Sequence, residues 1–146
     1  MLRLIVFFCS FVMGVLHAEV IISDATVRLL PPGVPNTAAY FSIENRSERN
    51  QVLVAASADF ATKAEIHNHV MVNNMMSMQQ QSEVVIKSGE SVQFSPGGLH
   101  IMLFGLKQPL HEGQALTFTL LTKTGDPITI KANVSSVIQP SEHKHH

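Results

Sequence analysis

"EIHNHVMVNNMMSM", residues 65–78, decides the fold because it predicts two paired β-strands joined by a tight turn. The central Asn73-Asn74 dipeptide tolerates the positive φ angles that a two-residue hairpin turn requires. A hairpin closed at this dipeptide places His69 directly opposite Met78 and fixes the partner of every other residue in the ribbon. The stretch therefore predicts an antiparallel hairpin with a single register.

The two faces of this hairpin differ in chemistry, because successive side chains of a strand point to opposite sides. One face carries nitrogen and sulfur donors: His67, His69, Met71, Met76 and Met78. The other face carries Ile66, Val70 and Val72, together with Met75. We expect the apolar face to cover a core and the donor face to form a metal-binding patch.

Short runs rich in β-branched and aromatic residues recur along the rest of the chain, separated by turn signals. They predict strands at 20–30, 37–44, 51–57, 65–72, 75–80, 83–89, 91–98, 99–106, 115–123 and 128–136. The segment "ADFATKA" (58–64) is ambiguous, and a helical turn is one conformation open to it. About ten short strands at this spacing are typical of an all-β sandwich or small barrel.

The stretch "GGLHIMLFGL" (97–106) carries a second donor pair on a strand that is otherwise apolar. His100 and Met102 are two residues apart and so share one face of the strand. The residues expected to fill the core are Ile101, Leu103 and Phe104. The Pro96-Gly97-Gly98 turn before the strand allows a close backbone approach.

The first eighteen residues, "MLRLIVFFCSFVMGVLHA", have the layout of a secretory signal peptide: Arg3, an apolar run and a small residue, Ala18, before Glu19. The apolar run is shorter than the roughly 20 residues of a membrane span, so we expect export with cleavage rather than anchoring. Cleavage removes Cys9, the single cysteine, and Phe8 before it does not fit a lipid-attachment box. The remaining chain has no thiol for a disulfide or a metal.

Composition excludes other classes of protein. The chain has 146 residues with a formal net charge of −1, enough for one domain and without the basic stripe of a nucleic-acid-binding protein. Without a cysteine thiolate it cannot build a blue-copper electron-transfer site. Thioether and imidazole together favour Cu(I) over Mg²⁺, Ca²⁺ or Zn²⁺.

The donor residues resemble the motif of the periplasmic copper chaperones of the PCu(A)C type, which is His-x10-Met-x21-His-x-Met. His67, Met78, His100 and Met102 reproduce that spacing without an insertion. The stretches "LPPGVPNTAAYFSIEN" (30–45) and "SPGGLHIMLFGL" (95–106) also look like the family's signature regions, and the resemblance runs from about residue 20 to 136.

The resemblance implies a cupredoxin-like β-sandwich or small Greek-key barrel that binds one Cu(I) through those four residues. It also implies delivery of copper toward the dinuclear centre of cytochrome c oxidase, either to the copper-accepting subunit or through a thioredoxin-like assembly partner. Strand pairing favours His69 as the first ligand, whereas the motif favours His67, and we adopt His67. Auxiliary donors are His69, Met71 and Met76.

The expected organisation is a signal peptide at 1–18, a copper-binding domain at 19–138 and a His-rich tail at 139–146 in a periplasmic protein without stable membrane insertion. His143, His145 and His146 in the tail are candidate Cu(II) ligands, although such a tract is also typical of a solvated end or an artificial addition.

Two other functions compete with a copper chaperone. A copper-dependent redox enzyme needs an open position and a stable Cu(II) state, which two thioethers disfavour. A metal-free interaction module could use the methionines as an adaptable surface.

No motif for nucleophilic catalysis or phosphate binding occurs in the sequence, so we expect no enzyme activity. Three isolated acidic residues are interpreted as ordinary surface or turn residues: Asp24, Glu44 and Glu65. Because transfer requires access, we expect a largely exposed donor patch at one end of the domain.

Overall fold

The computed structural model describes residues 19–138, so the signal peptide expected at 1–18 and the tail expected at 139–146 lie outside it. In the described part of the chain all regular structure is β-strand, and no helix there is long and apolar enough to cross a membrane. Ten strands follow one another: β1 (Val20–Arg28), β2 (Thr37–Asn45), β3 (Gln51–Ser57), β4 (Ala61–Val72), β5 (Met75–Gln80), β6 (Val84–Ile86), β7 (Ser91–Phe94), β8 (His100–Leu106), β9 (Ala115–Thr122) and β10 (Pro127–Ser135).

Seven of these strands close a barrel in the order β4-β8-β2-β1-β10-β9-β3. The pairing of β3 with β4 through Ala56 and Ala64 completes the circle. All neighbours are antiparallel except β1 and β10, which run parallel. The three remaining strands extend the barrel at its margins, with β5 paired to β4, β6 to β3 and β7 to β2. The all-β prediction is confirmed, in its small-barrel form.

The core lies inside this barrel and is made by the inward-pointing half of each strand. Phe41 stacks on Phe94 with ring centroids 4.3 Å apart, and Phe118 packs beside them at 5.9 Å. Ile101 and Leu103 of β8 are fully buried in the same core. Burial of each such side chain stabilises the fold by about 1.5–3 kcal/mol.

The predicted β4–β5 hairpin is present with the predicted register. His69 is the partner of Met78, and Asn73 and Asn74 have φ angles of 50° and 61°. Positive φ at both central residues matches the right-handed twist of the flanking strands. The hairpin extends beyond the barrel, since its far end pairs with no other strand among residues 19–138.

The structure resolves one ambiguous segment and contradicts one expectation. Segment 58–64 holds no helical turn: a tight turn ends at Phe60, and β4 begins at Ala61, where the strand already has a partner in β8. Phe104 does not fill the core. Successive side chains of a strand alternate between its two faces, so Phe104 points outward because Ile101 and Leu103 point inward. The ammonium group of Lys63 lies 4.5 Å from the centre of the Phe104 ring.

Candidate metal site

The donor residues lie on the outer face of the sheet formed by β5, β4 and β8. Register places His67 of β4 directly opposite His100 of β8, and places Glu65 opposite Met102. Directly opposite residues of an antiparallel pair share a face, so this face carries donors from all three strands. Ile66 and Ile101 are paired on the opposite face and fasten both strands to the core.

Three imidazoles form the centre of this face. The ring centroid of His100 lies 5.9 Å from that of His67 and 5.1 Å from that of His69. One ion held by two imidazole nitrogens at about 2.0 Å separates the ring centroids by about 5 Å, so either pair is close to bridging distance. The structure thus brings both candidate first ligands beside His100.

The ring of His67 is oriented by Glu65, a residue that the sequence interpretation had assigned to the ordinary surface. Nε2 of His67 lies 2.8 Å from Oε2 of Glu65, and the other carboxylate oxygen lies 2.9 Å from Nζ of Lys63. The hydrogen bond from His67, followed by that from Lys63, lowers the pKa of Glu65. The ionised carboxylate can only accept, so Nε2 of His67 carries the hydrogen.

The tautomer of His67 leaves its other nitrogen ready for a metal. Nδ1 is buried and has no hydrogen-bond partner among residues 19–138, and the same holds for Nδ1 of His69. An unpartnered buried nitrogen is costly unless a ligand satisfies it. Carboxylate, histidine and metal in this order are a recurring arrangement around protein-bound ions. The sequence signal for Glu65 was its position two residues before His67, on the same face of a strand.

His100 is held by the turn before its strand. Its Nδ1 lies 2.9 Å from the carbonyl oxygen of Gly98, which accepts the hydrogen bond and leaves Nε2 with the lone pair. Burial lowers the pKa of His100, the hydrogen bond to Gly98 opposes this, and charge on His69 and His67 lowers the pKa further. The neutral form, which is the metal-binding form, is therefore favoured.

The expectation of a largely exposed patch is wrong for the histidine half of the site. His100 is 2% exposed, because β8 lies between β2 and β4 and the rings of His67 and His69 on β4 lie beside it. Met78 is 45% exposed on the marginal strand β5. The face consequently has one buried and two partly buried imidazoles at its centre and a thioether at its accessible edge.

The two motif methionines lie at opposite corners of this face. In a flat sheet their Cα atoms would be about 16 Å apart, from two strand spacings of about 4.8 Å and four residues of about 3.3 Å. Two methionine side chains of about 4 Å and metal–sulfur bonds of about 2.3 Å span about 13 Å. The twist of this sheet, or a bend of β5, has to supply the difference if Met78 and Met102 share one ion.

Within residues 19–138, no three His, Cys, Asp or Glu side chains are arranged so that they could hold a metal ion. A site on this face therefore depends on thioether sulfur as well as imidazole. The candidate Cu(II) ligands His143, His145 and His146 lie outside the described residues.

Comparison with known proteins places the chain in a family whose members are described as lipoproteins. It belongs to the LpqE-like family, whose model, described as "Putative lipoprotein LpqE-like", matches residues 20–134. Lxx21020 of Leifsonia xyli subsp. xyli (strain CTCB07), also described as a "Putative lipoprotein", is 34% identical over 105 residues, covering 71% of this chain and 62% of that protein. The chain thus matches less than two thirds of that relative's length.

Solved structures share the fold. The "Copper-bound PCuAC domain from PmoF2" superposes with a TM-score of 0.67 at 18% identity, covering 82% of this chain and 95% of that domain. "CuI-DR1885 from Deinococcus Radiodurans" superposes with a TM-score of 0.66 at 29% identity, covering 82% of this chain and 79% of that protein. Structural neighbours of this barrel therefore include a copper-bound PCuAC domain and a protein solved with Cu(I).

Proposed function

We propose that this protein is an exported copper chaperone that carries one Cu(I) on the outer face of β5, β4 and β8. The observation that carries the proposal is the direct pairing of His67 with His100, each with one nitrogen fixed by an oxygen acceptor and the other bearing a lone pair. Thioethers on the neighbouring positions supply the soft donors that Cu(I) prefers. The solved neighbour that contains Cu(I) supports the same assignment.

We assign the ligands as His67, Met78, His100 and Met102, with His69 as the competing first ligand. All are uncharged, so uptake changes the charge of the site only by that of the ion. Met78 is the most accessible donor of this set, which makes it the natural position for a partner's ligand to enter first. Stepwise exchange from Met78 inward to His100 would release copper without exposing a free ion.

The partner assignment follows the resemblance rather than the structure: a copper-accepting oxidase subunit or a thioredoxin-like assembly protein. Export to the periplasm agrees with the description of family relatives as lipoproteins. In this chain Cys9, the only residue to which a lipid could be attached through sulfur, lies outside the described residues.

The experiment is a Cu(I) competition titration against a chromophoric chelator. We expect one tightly held equivalent, weakened at least tenfold by Met78→Leu and by Met102→Leu. Met75→Leu is the matched control, because Met75 lies on the same hairpin but on its opposite face. His67→Gln and His69→Gln, compared in the same titration, identify the first ligand as the residue with the larger loss. Unchanged affinity in both Met78→Leu and Met102→Leu would refute the ligand set.

A redox enzyme is separated from a chaperone by a different readout. Copper-loaded protein should exchange its ion with an acceptor and should show no turnover with oxygen and a reductant. Turnover would show that Cu(II) is stable at this site, contrary to the preference of two thioethers.

A further inference from the structure

The exposed end of the β4–β5 hairpin carries two methionines that the proposed ligand set does not use. Met71 and Met76 are direct partners in the register, and they are 61% and 58% exposed. A contiguous patch of exposed large apolar side chains is informative, and no further strand among residues 19–138 packs against this one. Their pairing on the donor face indicates a function for both together.

The hydrogen-bond pattern places these two side chains at closest approach. The amide of Gln81 donates to the carbonyl of Ile66, and bonded and non-bonded pairs alternate along an antiparallel ribbon. Counting from that bond, Met71 and Met76 form a non-hydrogen-bonded pair, in which the Cα atoms lie about 4.5 Å apart and side chains are closest. Both sulfurs can therefore reach a single ion from opposite sides.

The electrostatic setting selects which ion this is. Residues 66–82 contain no Asp, Glu, Lys or Arg, so the hairpin offers no carboxylate, the charged oxygen ligand on which Ca²⁺ and Mg²⁺ sites in proteins depend. Two neutral thioethers, with open coordination positions toward solvent, suit a soft monovalent cation.

We propose that Met71 and Met76 form a second, outer site for a soft monovalent ion, Cu(I) or its analogue Ag(I), separate from the imidazole-centred site. The role of this pair in capturing copper and passing it along the hairpin to Met78 rests on the proposed function, whereas the existence of the site does not. Met78 is the next residue of β5 on the same face, two positions from Met76.

The test is a titration with Ag(I) of the protein purified in the form that the cell produces after any cleavage of the chain. Binding is followed by NMR through the ¹³C-methyl signals of the methionines. We expect the Met71 and Met76 methyls to shift as one group and the Met78 and Met102 methyls as another. Met71→Leu/Met76→Leu should lower the number of thioether-bound ions from two to one. Met75→Leu, which changes a methionine that is 71% exposed on the other face of the same hairpin, should leave two.

A His67→Gln/His100→Gln variant separates this inference from the proposed function. The outer pair should retain its Ag(I) response in that variant, while the inner group loses most of its affinity. Met71 and Met76 methyls that do not move with Ag(I), while Met78 and Met102 do, would overturn the outer site and leave the chaperone site standing. The reverse result would support the outer site and remove the basis of the proposed function.

Discussion

The contact between Glu65 and His67 gives the sharpest prediction about the chemistry of the site. Replacing Glu65 by Gln keeps an oxygen within reach of Nε2 but removes its charge, so the charge-assisted hydrogen bond of 2.8 Å becomes a neutral one. Loss of a partner that orients a metal-bound histidine lowers metal affinity by about 10- to 100-fold. Because Gln still accepts a hydrogen bond, we expect about tenfold weaker Cu(I) binding, which is about 1.4 kcal/mol.

Glu65→Ala removes the acceptor altogether and should approach the upper end of that range, about 100-fold. The assay is the chelator competition titration at pH 7. Glu44→Gln is the matched control, since Glu44 also holds a partner, Arg46, at 2.8 Å but lies on β2. Stability should change little in every variant, as ion pairs near the surface contribute little.

The reasoning is refuted if Glu65→Gln and Glu65→Ala both bind Cu(I) within twofold of the unchanged protein. It is also refuted if Glu44→Gln loses as much affinity as Glu65→Gln, because the effect would then be one of overall charge. Lys63→Met tests whether the shared Lys63 matters: it should leave affinity almost unchanged, since Lys63 contacts the carboxylate but not the imidazole.

Further predictions concern stability and its pH dependence. Ile101→Ala, in a fully buried position, should lower the free energy of unfolding by about 2–5 kcal/mol in urea denaturation, whereas Val85→Ala at an exposed position should cost far less. The pKa of His100 is lowered in the folded state, so the unfolded chain binds more protons as the pH falls. Copper-free protein should therefore lose stability as the pH falls below 6.5. A urea midpoint that does not change between pH 7.5 and 5.5 would contradict this. Gly105→Ala should lower the melting temperature strongly, because Gly105 has a φ of 62° and an added Cβ would collide with the hydroxyl of Thr62. An unchanged melting temperature would contradict the packing described.

The hairpin was predictable because its register is fixed locally. A two-residue turn at Asn73-Asn74 determines every pair of β4 with β5, so the opposition of His69 and Met78 follows from sequence spacing alone. Alternation then assigns each side chain to a face. Strand positions elsewhere were predictable for the same reason: β-branched runs end where turn residues begin.

Contacts between distant segments were not predictable from local patterns. The motif spacing suggested that residue 67 and residue 100 belong to one site, but only the pairing of β4 with β8 shows that they are direct partners. The parallel pairing of β1 with β10 and the closure through Ala56 and Ala64 likewise depend on packing of the whole barrel.

The burial of the donors was misjudged for a related reason. A sequence shows that His100 and Met102 share a face, but it does not show that β2 and β4 flank that face on both sides. Phe104 belongs to the same apolar run as Ile101 and Leu103 and is expected in the core with them, but it shares a strand face with His100 and Met102 and therefore points outward. Here alternation was the better guide than residue type.

X-ray absorption at the copper edge, on protein loaded with one Cu(I), tests the central claim most directly. The account predicts two nitrogen neighbours at about 2.0 Å and two sulfur neighbours at about 2.3 Å, with one sulfur lost in Met78→Leu and one in Met102→Leu. A shell of nitrogen alone, unchanged by either substitution, would contradict it.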